Sequence, residues 1–425
     1  MTQPRTSKSL DFCAIDFGTS NSAIAYASSE GMKLAAIESE FETMPTAIFY
    51  SAEDGSRRFG RDAIAFDVEG NEGRLMRSIK SILGTDLMNE ATEIAPGFST
   101  LYLDVIAGYV QHLRNKGQTQ ARRVLNRALI GRPVFFVDGD TERDAQAESA
   151  LAMAAEGAGF TDVRFEYEPL AAAFDYESGI AEEQIILVAD IGGGTSDFSV
   201  LNVGPKQRLK LNRKSDILAN FGVHIAGTDF DREINLSAIA PLLGYKSSTP
   251  EGRQVPSPLY FDLATWHRIN MLYTRKHLHD FKMMKPMYAD VTAYDRVQTV
   301  LDHKLGHQLA VAAEKIKIDV SMNGSAQVNL GLIEKNLATQ FNSAQQQVAI
   351  TANVEKIRRC AQETITKAQV DPAKINAVYF TGGSTALQSL AHTIAAVCPN
   401  AKPIVGNRFS SVVTGLGIAA QRRWG

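Results

Sequence analysis

Ala14-Ile-Asp-Phe-Gly-Thr-Ser-Asn-Ser22 and Ala189-Asp-Ile-Gly-Gly-Gly-Thr-Ser-Asp197 are two versions of one phrase. Each follows a short apolar run, Phe12-Cys-Ala-Ile15 in the first copy and Ile185-Ile-Leu-Val-Ala189 in the second. Each leads into another, Ser22-Ala-Ile-Ala-Tyr-Ala27 and Phe198-Ser-Val-Leu201. An apolar strand, a polar turn containing glycine and a returning strand spell a β-hairpin. The two hairpins carry Asp16 and Asp190 in equivalent places. They stand too far apart for a solenoid unit, and so predict two related α/β lobes.

Working outward, Arg127-Ala-Leu-Ile130 and Val134-Phe-Phe-Val137 are expected strands around Gly131 and Pro133. A helix is expected from Thr141 as N-cap, with Ala147, Leu151 and Ala154 at helical spacing and an end near Gly157 and Gly159. Val163 to Glu168 alternates as a strand, and Pro169 at the first helical position opens a helix from Ala171 to Tyr176. Strands alternating with helices predict a mixed or parallel sheet. From about 245 to 302 the rhythm breaks, with Pro250, Pro256, Pro258 and Pro286, and this stretch reads as an insertion on the second lobe. Helical patterning resumes over 309–320 and 354–368, a strand over 375–380 meets Thr381-Gly-Gly-Ser-Thr385 and another helix, and a last helix runs out at Gly425.

The 425 residues, 44% of them hydrophobic, suffice for two or more cores. Forty-four Lys and Arg against 47 Asp and Glu leave a net charge of −3, which argues against a constitutive binder of nucleic acid or anionic membrane. Cys13, Cys360 and Cys398 are too few and too scattered for a disulfide framework or a thiolate metal cluster. Met1 to Leu10 lacks the apolar run of a signal peptide, and no stretch approaches the roughly 20 apolar residues of a membrane span. A soluble cytoplasmic protein is expected, with neither nucleic acid nor membrane as partner.

Asp16 and Asp190 each end a strand and precede a glycine-bearing turn, so their carboxylates project beside backbone N–H groups. Such amides suit phosphate oxygens, and Mg²⁺ is commonly held by one or two carboxylates together with phosphates and its own waters. Glycine lets the backbone approach a phosphate without side-chain collision. One Asp-Gly turn is most often a plain hairpin closure; its repetition is what points to chemistry. Thr381 to Thr385 follows a strand and opens a helix, so its amides lie at a positive helix end and read as a contact to a nucleotide's sugar and inner phosphate. The chain contains neither G-x-x-x-x-G-K-[ST] nor a strand-to-helix G-x-G-x-x-G.

These three turns, in this order, resemble the actin-like ATPase superfamily, and their wording resembles its DnaK-type heat-shock chaperone branch. Tyr167-Glu-Pro-Leu-Ala-Ala-Ala173 is similar to that family's Asn-Glu-Pro-Thr-Ala-Ala-Ala, and Ala226-Gly-Thr-Asp-Phe-Asp231 to its Gly-Gly-Glu-Asp-Phe-Asp segment. The resemblance covers almost the whole chain as a nucleotide-binding domain. It implies an α/β, two-lobed actin-like ATPase fold of duplicated ribonuclease-H-like lobes, with the nucleotide cleft between the lobes. Lobe I would span 10–186 with 408–425 returning to it; lobe II would span 187–407, with an inserted subdomain at about 230–350.

The same resemblance implies ATP or ADP with Mg²⁺, and K⁺ as a candidate second cation. Asp16 and Asp190 would hold Mg²⁺ through its waters, and Gly18, Thr19, Ser20, Asn21, Gly192, Gly193, Gly194 and Thr195 would surround the phosphates. Gly227, Glu314, Lys317, Ser321, Gly382, Gly383 and Ser384 would contact the rest of the nucleotide. Lys80, in Ser78-Ile-Lys-Ser-Ile-Leu-Gly84, matches the family's catalytic lysine, whose ammonium neutralises charge at the γ-phosphate and orients the attacking water. Glu168 would accept a hydrogen bond from that water, Asp197 would order it or a nearby cation, and Asp16 completes the catalytic set. Without the motif, a lone Lys is mostly a solvated charge and a Glu before Pro a helix N-terminal charge. Glu314 and Lys317, three apart, share a helix face that suits either ribose and base or a surface ion pair.

Departures from the family pattern are specific. Ile318 and Ala386 stand where two arginines usually sandwich adenine, and Phe409 where an aspartate usually lies near the base. Each lost cation–π contact removes about 0.5 to 2 kcal/mol, which bears on the choice of adenine over guanine. Neither the branch's acidic-apolar linker nor its β-rich peptide-binding domain is read here, and the chain resembles YegD-type stand-alone nucleotide-binding domains. The implied function is a slow Mg²⁺-dependent ATPase, a chaperone-like conformational switch without its own peptide-binding domain, with a protein partner docking on the lobe II insertion. A phosphotransferase or polyphosphate hydrolase, or a nucleotide-regulated filament-forming actin relative, are the alternatives on the same fold. The pairs His277 with His279 and His303 with His307 lack a third ligand and are not read as a metal site. The basic run Arg275 to Lys285 reads as a solvated or partner-docking face, and Ser384 lacks the G-x-S-x-G elbow of a hydrolase.

Overall fold

The computed structural model describes residues 10–425 apart from Pro96, Asp138, Leu211, Arg408 and Phe409, and omits the side chains of Asp175 and His267. Phe409 therefore lies outside the described residues. The chain divides into two compact units, one of Met1–Val223, Cys360–Thr385 and Ala395–Gly425, the other of His224–Arg359 and Ala386–Ile394.

In the first unit β1 (Phe12–Phe17), β2 (Asn21–Ser28) and β3 (Gly31–Leu34) form a meander, with β4 (Thr43–Pro45) also paired to β2. A small sheet follows, of β5 (Ala47–Ser51), β6 (Arg57–Phe59) and β7 (Gly73–Arg77), with α1 (Gly60–Val68) beside it and a hairpin of β8 (Ala91–Ala95) and β9 (Phe98–Leu101) after it. Next come α2 (Tyr102–Ala121), β10 (Arg127–Arg132), α3 (Thr141–Gly157), β11 (Asp162–Tyr167) and α4 (Glu168–Ser178). A second meander is made by β12 (Gln184–Ile191), β13 (Ser196–Val203) and β14 (Ile217–Val223).

The second unit holds α5 (Gly227–Ile234), α6 (Pro258–Leu263), α7 (Arg275–Met283), α8 (Val291–Asp302), α9 (Gly306–Asn323) and the hairpin of β15 (Ser325–Asn329) and β16 (Ala338–Asn342). Then follow α10 (Ser343–Lys367), β17 (Ala377–Thr381), α11 (Gln388–Ala395), β18 (Lys402–Val405) and α12 (Ser411–Trp424). Both β17 and β18 return to the second meander.

The expected duplication extends to whole sheets. One runs β11-β10-β1-β2-β3 and the other β18-β17-β12-β13-β14. In each, an antiparallel meander is extended on one side by two parallel strands. Along β1 the side chains alternate between two cores, as a two-residue period requires. Cys13, Ile15 and Phe17 join Val105, Tyr109 and Leu151 of α2 and α3, while Phe12 and Ala14 join Leu170 of α4 and Leu416 of α12. On β12, Ile186 and Val188 enter the same second core. By parity Asp16 ends the Phe12–Ala14 row and Asp190 ends the Ile186–Val188 row.

Helices α4 and α12 fill that shared core. Ala171, Ala172 and Ala173 are buried, and a Cβ on Gly415 would lie 1.8 Å from the Ala171 carbonyl oxygen. The far end of α4 is fixed by a buried ion network. Arg213 pairs with Glu177 at 2.9 Å and with Asp216, and Glu177 also accepts the Gly204 N–H at 3.0 Å.

Two expectations are corrected. Val134 to Val137 is an irregular bend, not a strand, because β10 ends at Arg132 and Pro133 brings no N–H to a ladder. The guanidinium of Arg132 donates to the carbonyls of Pro133 and Val134, and Asp144 accepts the Phe136 N–H at 2.6 Å. The N-cap of α3 is Asp140, whose carboxylate accepts the Arg143 N–H at 3.0 Å, with Thr141 as the first helical residue. The stretch 245–302, read as an insertion, carries mostly helical structure, organised around Tyr260, Tyr288 and the stacked pair Phe281 and Tyr294. Among the described residues, no helix is long and apolar enough to cross a membrane.

The Gly415 contact yields a first prediction. Gly415→Ala should force α12 away from α4 and lower unfolding stability by about 1–3 kcal/mol, the usual range for overpacking. Denaturant unfolding followed by circular dichroism measures it, and an unchanged midpoint would show that the helices are free to separate.

Candidate active site

The first turn, between β1 and β2, is tightly folded: a Cβ on Gly18 would sit 2.3 Å from the Asn21 carbonyl oxygen. The second turn lies against it. A Cβ on Gly193 would come 2.2 Å from Ser20 Oγ, and one on Gly194 would come 3.9 Å from Thr19 Cγ2. Within the second turn the Gly192 N–H donates to the Thr195 carbonyl at 3.0 Å. The third turn joins from β17, with Ser384 Oγ donating to the Gly192 carbonyl at 2.6 Å. Gly382 has φ of +83°, a conformation in which a side chain is strained, and it sits directly against Ile191 and Asp190. Glycines predicted far apart in the chain thus border one space within the first unit.

The charged residues gather at the same place. Asp190 on β12 is paired with Asp197 on the antiparallel β13 and with Thr381 on the parallel β17. Glu168 opens α4, preceding Pro169, and accepts a 2.5 Å hydrogen bond from the Lys80 ammonium. Lys80 is only 8% exposed, in a short 3₁₀ turn from Ile79 to Ile82 whose cap, Ser78, has φ of +56°. Burial, the Glu168 carboxylate and, in opposition, the Lys80 ammonium push the Asp16 carboxyl up to about 7. Burial first, then Asp197, Glu168 and Asp16, push Asp190 up to about 8 against the pull of Lys80. Each carboxylate here raises the cost of ionising its neighbours.

Four carboxylates facing one ammonium are a donor set that suits a hard divalent cation. Among the described residues, no three His, Cys, Asp or Glu side chains are placed to hold a metal ion directly. Asp16 and Asp190 could therefore hold such an ion through its waters, with phosphate oxygens supplying the rest. Of the histidines set aside above, His307 is buried with Nε2 3.3 Å from the Trp266 carbonyl, and His277 Nδ1 is 2.7 Å from Thr274 Oγ1.

Gly227, Glu314, Lys317 and Ser321 belong to the second unit. Gly227 opens α5, and Lys317 of α9 donates to its carbonyl at 3.3 Å while pairing with Asp231 at 2.7 Å. The partner of Lys317 is thus Asp231 on another helix, where the sequence suggested Glu314 on its own. Ser321 Oγ donates to the Lys317 carbonyl at 2.7 Å, Glu314 is exposed, and Ile318 is 46% exposed.

Thr46 carries no motif and escaped the sequence reading. Its Oγ1 donates to the Gly18 carbonyl at 2.7 Å and lies 2.8 Å from Ser22 Oγ, while its N–H donates to the Ser20 carbonyl at 2.8 Å.

Comparison with known proteins finds one matching family and several relatives. Residues 97–240, which include Glu168, Asp190 and Asp197, match the family described as Hsp70 protein. The chain is 29% identical over 209 residues, 44% of its length, to the chaperone protein HscA homolog of Rickettsia felis, covering 30% of that protein. It is 24% identical over 416 residues, 91% of its length, to the chaperone protein dnaK of Guillardia theta, covering 56% of that protein. The matched part thus spans about a third of the first relative's length and about half of the second's. With its duplicated sheets and repeated aspartate turns, the chain has the α/β fold of the actin-like ATPases and is related to the DnaK-type, or Hsp70, chaperone family.

Proposed function

We propose that the chain binds ATP and hydrolyses it slowly in a Mg²⁺-dependent reaction, acting in the cytoplasm as a nucleotide-driven conformational switch of the chaperone family. The observation that carries this reading is the convergence of Asp16, Lys80, Glu168, Asp190 and Asp197 beside the glycine turns. Phosphoryl transfer needs positioning and charge neutralisation more than covalent chemistry. The turn amides from Thr19 to Asn21 and from Gly193 to Thr195 cradle the phosphates, while the Gly192 N–H holds the second turn closed on Thr195. Lys80 presents positive charge to the γ-phosphate, Glu168 orients the attacking water, and Asp197 orders that water or a second cation such as K⁺. Asp16 and Asp190 would hold the water shell of Mg²⁺, which would supply neutralisation of phosphate charge. Glu168 accepts a hydrogen bond from the Lys80 ammonium, which fixes the carboxylate that orients the water.

The assignment of sugar and base to Gly227, Glu314, Lys317, Ser321 and the Gly382–Ser384 turn rests on the family resemblance. A protein partner is assigned to the face of the second unit where Met271, Met283 and Met287 are exposed beside the basic run of α7.

Replacing Lys80 by Ala should abolish turnover and leave ATP binding within a few-fold. Calorimetry of ATP, ADP and GTP with and without Mg²⁺, followed by single-turnover hydrolysis, measures both. Full activity in that variant removes Lys80 from the mechanism, and an absence of binding at millimolar nucleotide removes the whole reading. Gly382→Ala should act through Asp190, because its Cβ would lie 2.4 Å from the Ile191 carbonyl oxygen and 2.8 Å from Asp190 Oδ1. The expected result is roughly tenfold weaker ATP binding in Mg²⁺ with little change in its absence, on the scale of one lost charge-assisted contact. Equal weakening in both conditions would place the damage in the phosphate turns instead.

A further inference from the structure

Lys80 reaches Glu168 from a segment with no sequence link to the first phosphate turn, yet one buried residue is bonded to both. Thr46 is 2% exposed, immediately after β4. On one side it holds the first turn by three bonds. Its N–H donates to the Ser20 carbonyl at 2.8 Å, its Oγ1 donates to the Gly18 carbonyl at 2.7 Å, and its Oγ1 meets Ser22 Oγ at 2.8 Å. A hydroxyl has one hydrogen, and that of Thr46 goes to Gly18, so Ser22 is the donor in the third bond. On the other side the Thr46 carbonyl accepts the Ser78 N–H at 3.1 Å. Ser78 caps the turn that carries Lys80, and its own carbonyl accepts the Ser81 N–H at 2.9 Å and Ser81 Oγ at 2.8 Å. The strap is itself braced, because Tyr109 OH donates to the Pro45 carbonyl at 2.9 Å.

We infer that Thr46 is a positioning residue that locks the first phosphate turn and the Lys80 turn into one register. This rests on the function proposed above. Both turns contribute groups that must meet the same phosphate, and bonds within either turn do not set the distance between the two. Thr46 fixes it through one main-chain bond to Ser78 on one side and a main-chain bond with a hydroxyl clamp on the other. Its hydroxyl is the replaceable part: valine keeps the shape but leaves the Gly18 carbonyl and the Ser22 hydroxyl without their buried partner. Binding averages over many phosphate contacts, whereas hydrolysis requires the lysine and the turn together, so the hydrolytic step is the more sensitive of the two.

The test compares Thr46→Val, Thr46→Ser and Thr46→Cys in the full chain. Hydrogen exchange read by mass spectrometry on the nucleotide-free proteins should show faster exchange in Thr46→Val over both 17–22 and 78–83, with the parts of the two large sheets outside those segments unchanged. Thr46→Ser should restore both segments, and Thr46→Cys, whose thiol is a weak donor, should fall between. Single-turnover hydrolysis should drop roughly tenfold to a hundredfold in Thr46→Val, the scale of a misplacement of about 1 Å, with ATP affinity changed by no more than about threefold. Loosening confined to 17–22, equal loosening of the whole unit, or failure of serine to rescue would each overturn the inference. Should Thr46→Val not fold, the comparison of Thr46→Cys with Thr46→Ser decides. Hydrogen exchange needs no turnover, so a wild type without ATPase activity would defeat the functional reading while the link between the two turns is still judged.

Discussion

Helices α4 and α12 meet where there is no room for a side chain. The Gly415 backbone lies on the Ala171 carbonyl, and the three alanines from Ala171 to Ala173 present nothing larger than a methyl. Both large sheets pack on this helix pair, because Phe12 and Ala14 of one and Ile186 and Val188 of the other share its core. The thinness of that layer sets how closely the strand rows ending in Asp16 and Asp190 approach. It also sets where the first residue of α4, Glu168, meets them. At the other end of α4, Glu177 and Arg213 are both almost fully buried, and removing one partner of such a pair typically costs about 3–5 kcal/mol. The helix that delivers Glu168 is therefore held at its flank and at its tail.

What this geometry assembles is unfavourable for folding alone. Asp190 faces Asp197 across one ladder and feels Asp16 and Glu168 besides, and burial raises the cost of each charge. Lys80 offsets part of that cost through Glu168. Ionisable groups gathered where burial and like charges oppose ionisation are a recurring mark of functional sites. The same gathering suits a cation and phosphate oxygens, which would exchange mutual repulsion for shared attraction.

Much of the fold was legible because its signals are local. A strand, a glycine turn and a return strand announce themselves within a few residues, and both hairpins formed as expected, β1 with β2 and β12 with β13. The run Val134 to Val137 misled because apolar composition does not reveal that Pro133 ends a ladder, nor that Asp144 claims the Phe136 N–H. Asp140 and Thr141 are both good caps, and only the bond to Arg143 distinguishes them. In the site, Lys80 and Glu168 stand 88 positions apart, so no spacing rule pairs them; the family resemblance singled them out and the fold brought them together. Lys317 shares a helix face with Glu314, yet its partner is Asp231 on α5. Thr46 had no signal at all, since its role lies in backbone and hydroxyl bonds to residues far from it in the chain.

The sequence by itself determined which face of its strand each aspartate occupies, because side chains alternate with a period of two whatever surrounds them. It also determined that glycine-rich turns follow both aspartates, and hence that main-chain amides lie beside them. Only the tertiary structure decided that the two aspartates, Glu168, Asp197 and Lys80 share one electrostatic environment, and that Thr46 ties two turns together. Alternation and turn formation depend on neighbours along the chain. Charge coupling and buried hydrogen bonds depend on distances through space, which exist only once the sheets have closed on α4 and α12.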